Sequence, residues 1–357
     1  MEVLTSVLGV APERAYQFMM EAHTSGRAII WTGSREVAEL KLEQILTFHE
    51  DRDGGRKLGP LSRPPARELV PHSPRSFPMA LEPLASGVCS WSLLVASIPE
   101  LRRFCDTLHI DVVQIACGDP HHAAWAEGDA MPAAAKAAGF QLTGCMLGFP
   151  GEDYTTPQTI QKTGGFGDPA TRPERLERFA WALQRTRELS LSDMMLHAGF
   201  LPEPGDPDRK PFLDTLTKAA DLAKSNGITI AFETGQETAD LLRLTLDELK
   251  CPNVKVNFDP ANMLLYDKGD PIRAVELLGA DIRSVHVKDA IRTKVPGTWG
   301  DEVPLGQGEV DIAAFLKTLQ KVGYRGPLCI EREVGDQEAR VTDIAHGVRY
   351  LKECLAE

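Results

Sequence analysis

The sequence predicts an α/β protein, a (β/α)8 barrel with a small α+β segment at its amino-terminal end. Three observations carry that prediction. From residue 84 onward, strand-like and helix-like runs alternate with little interruption. They make eight β-then-α units of roughly 34 residues each, the repeat of a closed parallel barrel. No Gly-x-Gly-x-x-Gly follows the first strand, as an open dinucleotide-binding sheet would require.

The chain has 357 residues, and a barrel typically uses ~250 of them, so there is room for an appendage. Residues 1–51 read as helix, turn, helix, the short strand RAIIW and a further helix. Residues 52–83 read as a linker. The stretch from 52 to 75 alone holds five prolines, three glycines and six basic residues, with almost nothing apolar to bury. The barrel then occupies 84–357. Its strands are expected at 86–93, 110–116, 141–147, 193–199, 228–234, 254–260, 281–288 and 327–333, each a short run of strand-forming residues. Between the fourth strand and the third, Leu176, Phe179, Ala180 and Leu183 follow helical spacing, and Thr171 with Glu174 spells a capping box. Late in the chain, Asp311 is placed to cap a helix carrying Ile312, Phe315, Leu316 and Leu319.

Charge narrows the function. There are 39 basic and 51 acidic residues, net -12. Residues 1–83 hold 10 basic and 11 acidic of these, so the barrel carries 29 against 40, a balance of -11. Such a surface repels phosphate backbones, which argues against a nucleic-acid partner. No apolar run approaches the ~20 residues that span a bilayer. The seven cysteines lack a C-x-x-C pair, and no secretory apolar region opens the chain. A cytoplasmic protein with reduced thiols is the expectation.

Barrel enzymes place polar side chains at the carboxyl ends of their strands. Four consecutive strands supply Glu233, Asp259, His286 and Glu331, at intervals of 26, 27 and 45 residues. Strand side chains alternate between barrel interior and helix layer. On the side of these four lie Ala231, Asn257, Ser284 and Cys329, all small or polar. Phe232, Val256, Phe258, Val285, Val287 and Ile330 hold the opposite side and are apolar. All four candidates are therefore expected to point inward. Three carboxylates and an imidazole brought together inside a barrel need a positive charge between them. A divalent cation supplies it. Ligation by oxygens and one nitrogen suits Mn2+ first, with Mg2+, Co2+ or Zn2+ as alternatives.

The strand-end motifs AFETG, NFDPAN, SVHVKD, PLGQGEVD and CIERE, with LHAGF on the fourth strand, resemble those of the sugar phosphate isomerase/epimerase family of xylose isomerase-like TIM barrels over roughly residues 84–357. The resemblance implies one divalent metal held by Glu233, Asp259, His286 and Glu331. In the ketose epimerase branch the two glutamates also exchange a proton with the substrate carbon from either face. The substrate is then a small carbohydrate, deprotonated beside its carbonyl through an enediolate. Return of the proton to the same carbon epimerises, return to the neighbouring carbon isomerises, and loss of a β-leaving group makes the enzyme a lyase or dehydratase.

Other residues join this reading in supporting roles. Arg292, six residues beyond His286, matches an epimerase-branch arginine that binds substrate oxygens. His197 is expected on a substrate hydroxyl, and Lys288 either neutralises the enediolate or pairs with a carboxylate. Asn262 stands where the epimerase branch carries histidine. His121 and His122 are placed to line the mouth, and residues 289–310, with four glycines and Trp299, read as a lid. Endonuclease IV-like barrels share the scaffold but need a histidine at the position of Asn262 and another after the seventh strand; VKDAIRTK lacks it.

Residues 1–51 resemble part of the ClpS adaptor of the Clp protease through LTSVLGV, MMEAHTSGRA and REVAELK, with Met19 and His23 at its gate and amino-group positions. The acidic loop that would hold an amino-terminal ammonium has no counterpart here. Delivery of degron substrates to the Clp machinery is therefore not expected, and Met79 could serve as an initiator for the barrel alone. A proteolysis adaptor with a non-catalytic barrel is the rival from another class. Which sugar is used and whether the chain forms a homo-oligomer stay open at this point.

Overall fold

A computed structural model of the chain describes residues 84–118 and 125–356. The expected segment 1–51, the linker 52–83, Met19, His23, Met79, His121 and His122 lie outside the described residues.

In the described residues the predicted alternation becomes a barrel. Its strands are β1 (Ser86–Cys89), β2 (Val112–Ala116), β3 (Gln141–Leu147), β4 (Asp193–Leu196), β5 (Thr229–Glu233), β6 (Val254–Phe258) and β7 (Ile282–Val287), and the eighth, β10 (Leu328–Ile330), closes against β1. Every pairing around the ring is parallel. The main helices are α1 (Ile98–Leu108), α2 (Met131–Ala137), α3 (Pro157–Thr163), α4 (Arg172–Glu188), α5 (Arg209–Ser225), α6 (Ala239–Leu249), α7 (Pro260–Leu265), α8 (Pro271–Leu278), α9 (Ile312–Lys321) and α10 (Gln337–Ala356). Two short strands, β8 (Asp289–Ile291) and β9 (Asp301–Val303), pair antiparallel above the barrel mouth. No helix among the described residues is long and apolar enough to cross a membrane.

The core lies between the barrel and its helices. Phe179, Phe212, Phe258 and Phe315 are fully buried there, and truncating one such ring costs about 3–5 kcal/mol. Asp311 caps α9, accepting from the Ala314 N–H at 2.9 Å, and the predicted apolar face of that helix is buried.

The reading of α4 needs correction. Thr171 already has helical backbone angles, and its hydroxyl donates back to the Asp168 carbonyl, so no capping box forms with Glu174. Ala180 is exposed. The buried stripe instead runs through Arg172, Arg175, Phe179, Ala182, Leu183 and Thr186. Two arginines can be buried because their guanidiniums donate to the carbonyls of Thr163, Gly165, Phe166 and Gly167 in the preceding loop. Several strands also end two to four residues early. β1 gives way to a 3-10 turn at Ser90–Leu93, and β6 gives way to α7 directly after Asp259.

Candidate active site

The early strand ends put the functional side chains at the rim. Glu233 is the last residue of β5, Asp259 follows β6, His286 lies near the end of β7 and Glu331 follows β10. All four are buried, and one donor atom from each lies within 4.8 Å of the other three. The structure thus brings together the predicted set.

Hydrogen bonds already engage part of each side chain and leave specific atoms over. Asp259 is the N-cap of α7, its Oδ1 accepting from the N–H groups of Ala261 at 2.8 Å and Asn262 at 2.9 Å. Its Oδ2 is buried without a hydrogen-bond partner. Glu233 Oε1 accepts from Asn262 Nδ2 at 3.2 Å and faces His286 Nδ1 at 2.9 Å. Glu233 Oε2 has no hydrogen-bond partner, and His197 Nε2 stands 3.3 Å away. Glu331 is better supplied: Trp91 Nε1 donates to Oε1 at 2.7 Å and Lys288 Nζ to Oε2 at 2.9 Å.

The imidazole is held from behind. His286 Nε2 meets Gln114 Oε1 at 2.6 Å, and an amide oxygen only accepts, so Nε2 carries a proton. That leaves Nδ1 toward the carboxylates, 2.9 Å from Glu233 Oε1 and 3.4 Å from Glu331 Oε1. Two acceptors aimed at one ring nitrogen require a cation between them. In the metal-free protein a proton fills that need. Burial alone would depress the His286 pKa, but Glu331 and Glu233 outweigh it and push it up to about 9. Burial drives Asp259 well above the usual carboxylate range, with Lys288 pulling the other way. Burial would also raise Glu331, yet Lys288 and His286 hold it well below that range. Orphaned oxygens on Glu233 and Asp259, beside an imidazole with fixed protonation, suit a divalent ion of the hard or borderline class.

Outside this inner set sits a second cluster. Lys288 is 2% exposed and reaches Glu331 and Glu333 directly, with Glu302 Oε2 at 3.7 Å. It pairs with carboxylates, the second of the two roles expected for it. Burial would lower its pKa, but Glu331 and Glu333 raise it well above the ordinary value. Glu302 comes from β9, so the lid is tied to the barrel: its Oε1 accepts from Arg332 Nη1 at 2.6 Å and from the Glu333 N–H at 2.9 Å. Asp289 organises the rest of the lid by accepting from the N–H groups of Gly306, Gly308 and Val310. Gly308 has to be glycine, because a Cβ there would sit 2.1 Å from Asp289 Oδ1.

These groups open into a cavity of about 570 Å³ that His197, Asn262, Lys288 and Trp299 line along with Glu233 and Glu331. Arg292 does not line it. Its guanidinium is held by Asp267 and by the Gly269 carbonyl at 2.7 Å, on the outer side of the lid. Sequence reasoning missed Gln114, Trp91, Glu302 and Glu333. Gln114 had a signal, a single amide inside the apolar run VVQIA, and Glu333 shares the strand parity of Glu331. Glu302 had none, because only the lid's fold carries it inward.

Comparison with known proteins agrees with this architecture. A model of the xylose isomerase-like TIM barrel family matches residues 108–354, and a model of the ATP-dependent Clp protease adaptor protein ClpS matches residues 1–61. Over 204 residues the chain is 29% identical to the putative L-ribulose-5-phosphate 3-epimerase SgbU of Escherichia coli, covering 54% of this chain and 70% of that relative. The solved xylose isomerase domain protein from Planctomyces limnophilus superposes with a TM-score of 0.68 at 32% identity, covering 76% of this chain and 97% of that one. The IOLI protein, solved with a bound zinc atom, gives a TM-score of 0.57 at 17% identity over 74% of this chain and 96% of that one, a likeness of fold.

Proposed function

Since the chain belongs to the xylose isomerase-like TIM barrel family, we propose that it is a sugar isomerase or epimerase that moves a proton on a carbon next to a carbonyl. The observation that carries the reading is the pair Glu233 and Glu331, both buried and both lining one cavity, with an unpartnered oxygen on the former. The similarity to a ribulose-phosphate epimerase supports the same reaction class.

Glu233, Asp259, His286 and Glu331 would hold a divalent cation. When bound, it supplies Lewis acidity that stabilises negative charge on the substrate oxygens. The chain's own groups do the rest. One of the two glutamates takes the proton from the carbon beside the carbonyl, and the C–H electron pair moves into the carbonyl to form an enediolate. For epimerisation the opposite glutamate, entering protonated, gives its proton to the other face of the same carbon while the first keeps the one it took. For isomerisation the first glutamate returns its proton to the neighbouring carbon as the hydroxyl proton passes to the former carbonyl oxygen. Trp91 and Lys288 fix both oxygens of Glu331 and favour its ionised form. Asn262 fixes one oxygen of Glu233 and leaves the other free to reach substrate. His197, which lines the cavity and whose Nδ1 has no hydrogen-bond partner, would bind a substrate hydroxyl. The lid, tied to the barrel through Glu302, would shield the enediolate from water.

The test is solvent deuterium incorporation into a panel of ketoses with added Mn2+, followed by mass spectrometry. Incorporation should require metal and fall about 10²–10⁴-fold in Glu233→Gln. Incorporation that survives both chelation and that substitution would sink the proposal.

A further inference from the structure

The curated relative acts on a sugar phosphate by name, yet among the described residues the cavity offers no unengaged basic side chain to receive one. Five carboxylates lie in or against it: Glu233, Asp259, Glu302, Glu331 and Glu333. Among the described residues that line it, the permanent cations are Lys288 and Arg340. With a divalent ion in the inner cluster and Arg332, which pairs with Glu302, the formal balance is five negative against five positive charges, and each of these basic side chains is already engaged. A phosphate ester would add ≈ 1.5–2 further negative charges at neutral pH.

Neither cation is available to receive that charge. Lys288 donates to Glu331 and Glu333. Arg340 directs its guanidinium at backbone carbonyls, with Nε on Gly335 at 2.9 Å, Nη1 on Trp91 at 3.5 Å and Nη2 on Glu333. Arg292, the third basic residue considered for substrate, is held outside by Asp267.

The wall away from the carboxylates is apolar instead. Leu94 is 48% exposed, Val334 51% and Tyr154 41%, and they frame the mouth with Trp299, which stacks edge-on against Tyr266 at 4.7 Å between ring centres. The cavity has room for more than the reacting part of a sugar. The ten heavy atoms of a pentose, even at the ~30 Å³ each that water occupies in the liquid, fill roughly 300 Å³. The cavity holds about 570 Å³.

We propose that the site takes an uncharged sugar and discriminates against sugar phosphates, with the sugar's non-reacting end lying on the wall of Trp299, Leu94 and Val334. This rests on the sugar isomerase or epimerase reading and adds the substrate class to it. Sugar rings present flat C–H faces that pack on aromatic and aliphatic side chains, whereas a phosphate is held best by charged donors, which Trp299, Leu94 and Val334 are not.

Calorimetric titration of the Mn2+-loaded full chain with D-fructose, D-fructose 6-phosphate and the neutral keto-disaccharide maltulose tests the idea. Both neutral sugars should bind at least tenfold tighter than the ester. Glu333→Gln should narrow that gap several-fold, and Trp299→Ala should weaken maltulose more than fructose. An ester that binds as tightly as the neutral sugars, a gap indifferent to Glu333→Gln, or no binding of either neutral sugar overturns the proposal. Deuterium incorporation separates the two claims. Exchange into the ester in preference to the neutral sugars keeps the reaction and removes the substrate class. Neutral sugars bound without any exchange keep the binding preference and remove the reaction.

Discussion

Two clusters of carboxylates sit side by side at the mouth of this barrel, the inner one buried and the outer one partly exposed at Glu333, and they have solved the same problem differently. The inner one, Glu233, Asp259 and Glu331 around His286, leaves Glu233 Oε2 and Asp259 Oδ2 without hydrogen-bond partners. In the outer one, Glu302 meets Arg332, Lys288 and the Glu333 N–H, and Glu333 meets Lys288. A buried carboxylate costs several kcal/mol unless its charge is met. The outer cluster meets that charge with the protein's own cations, so its task is to hold the lid. The inner cluster leaves two oxygens without hydrogen bonds, which suits it to bind something else. Density of acidic residues is therefore a poor guide to function, and the unpartnered atoms are the better one.

The comparison breaks most visibly if the outer cluster proves dispensable. Arg332→Met removes the cation that meets both Glu302 and Asp343. Loss of one partner from a buried pair costs about 3–5 kcal/mol, and the lower end applies here because Asp343 is 23% exposed and can turn to water. Urea denaturation should show that loss, while calorimetry shows Mn2+ binding to the folded protein little changed. Metal affinity falling in step with stability would mean that the two clusters are one unit.

A buried carboxylate outside both clusters sharpens the contrast. Glu237, in the loop after β5, is 7% exposed and belongs to neither cluster. Burial, opposed by Lys268, pushes its pKa up to about 8, so it is accommodated largely by protonation. A carboxyl raised in the folded state contributes stability that is fully present below its unfolded pKa of ~4.3. That contribution is lost as pH rises through about 8. Stability of the wild type should fall across this window by a few kcal/mol, and Glu237→Gln should remove most of the slope. An unchanged slope would show that the wild-type loss belongs to the metal-binding acids instead.

How much of this was legible beforehand follows from what a strand does to a sequence. Alternation along a strand is strict, so Glu233, Asp259, His286 and Glu331 could be assigned to the interior from their neighbours alone, and the structure places them there. The early end of β6 was not legible, because the same Asp259 that faces inward also caps α7, and a sequence pattern shows only one of the two roles. On α4 apolar spacing misled, since Arg172 and Arg175 are buried by loop carbonyls that lie far from any helical period. Glu302 and Arg292 differ for a similar reason. The register of β8 on β9 decides which lid side chains face the cavity, and it pairs Ile291 with Asp301 and Ala290 with Glu302. Nothing in the spacing of 289–310 announces that register.

The smallest expected effect tests the cause of the inner cluster's geometry. Gln114 acts on the glutamates only through the imidazole: its Oε1 holds the Nε2 proton of His286 at 2.6 Å. With that proton fixed, the lone pair of the neutral ring lies on Nδ1, facing the two glutamates. Gln114→Leu keeps the volume and removes the acceptor, so the ring can exchange tautomers or rotate, and only part of its population presents Nδ1. Loss of such an orienting partner typically lowers metal affinity 10–100-fold. Titration of chelator-treated Gln114→Leu with Mn2+ should show a weakening of that order with the fold intact by circular dichroism, and Gln114→Asn should not rescue it, because the shorter side chain falls short of Nε2. Wild-type affinity in Gln114→Leu would mean that the carboxylates alone position the ion and that the imidazole is oriented by Asn257 or by packing against Trp91, 5.6 Å away between ring centres.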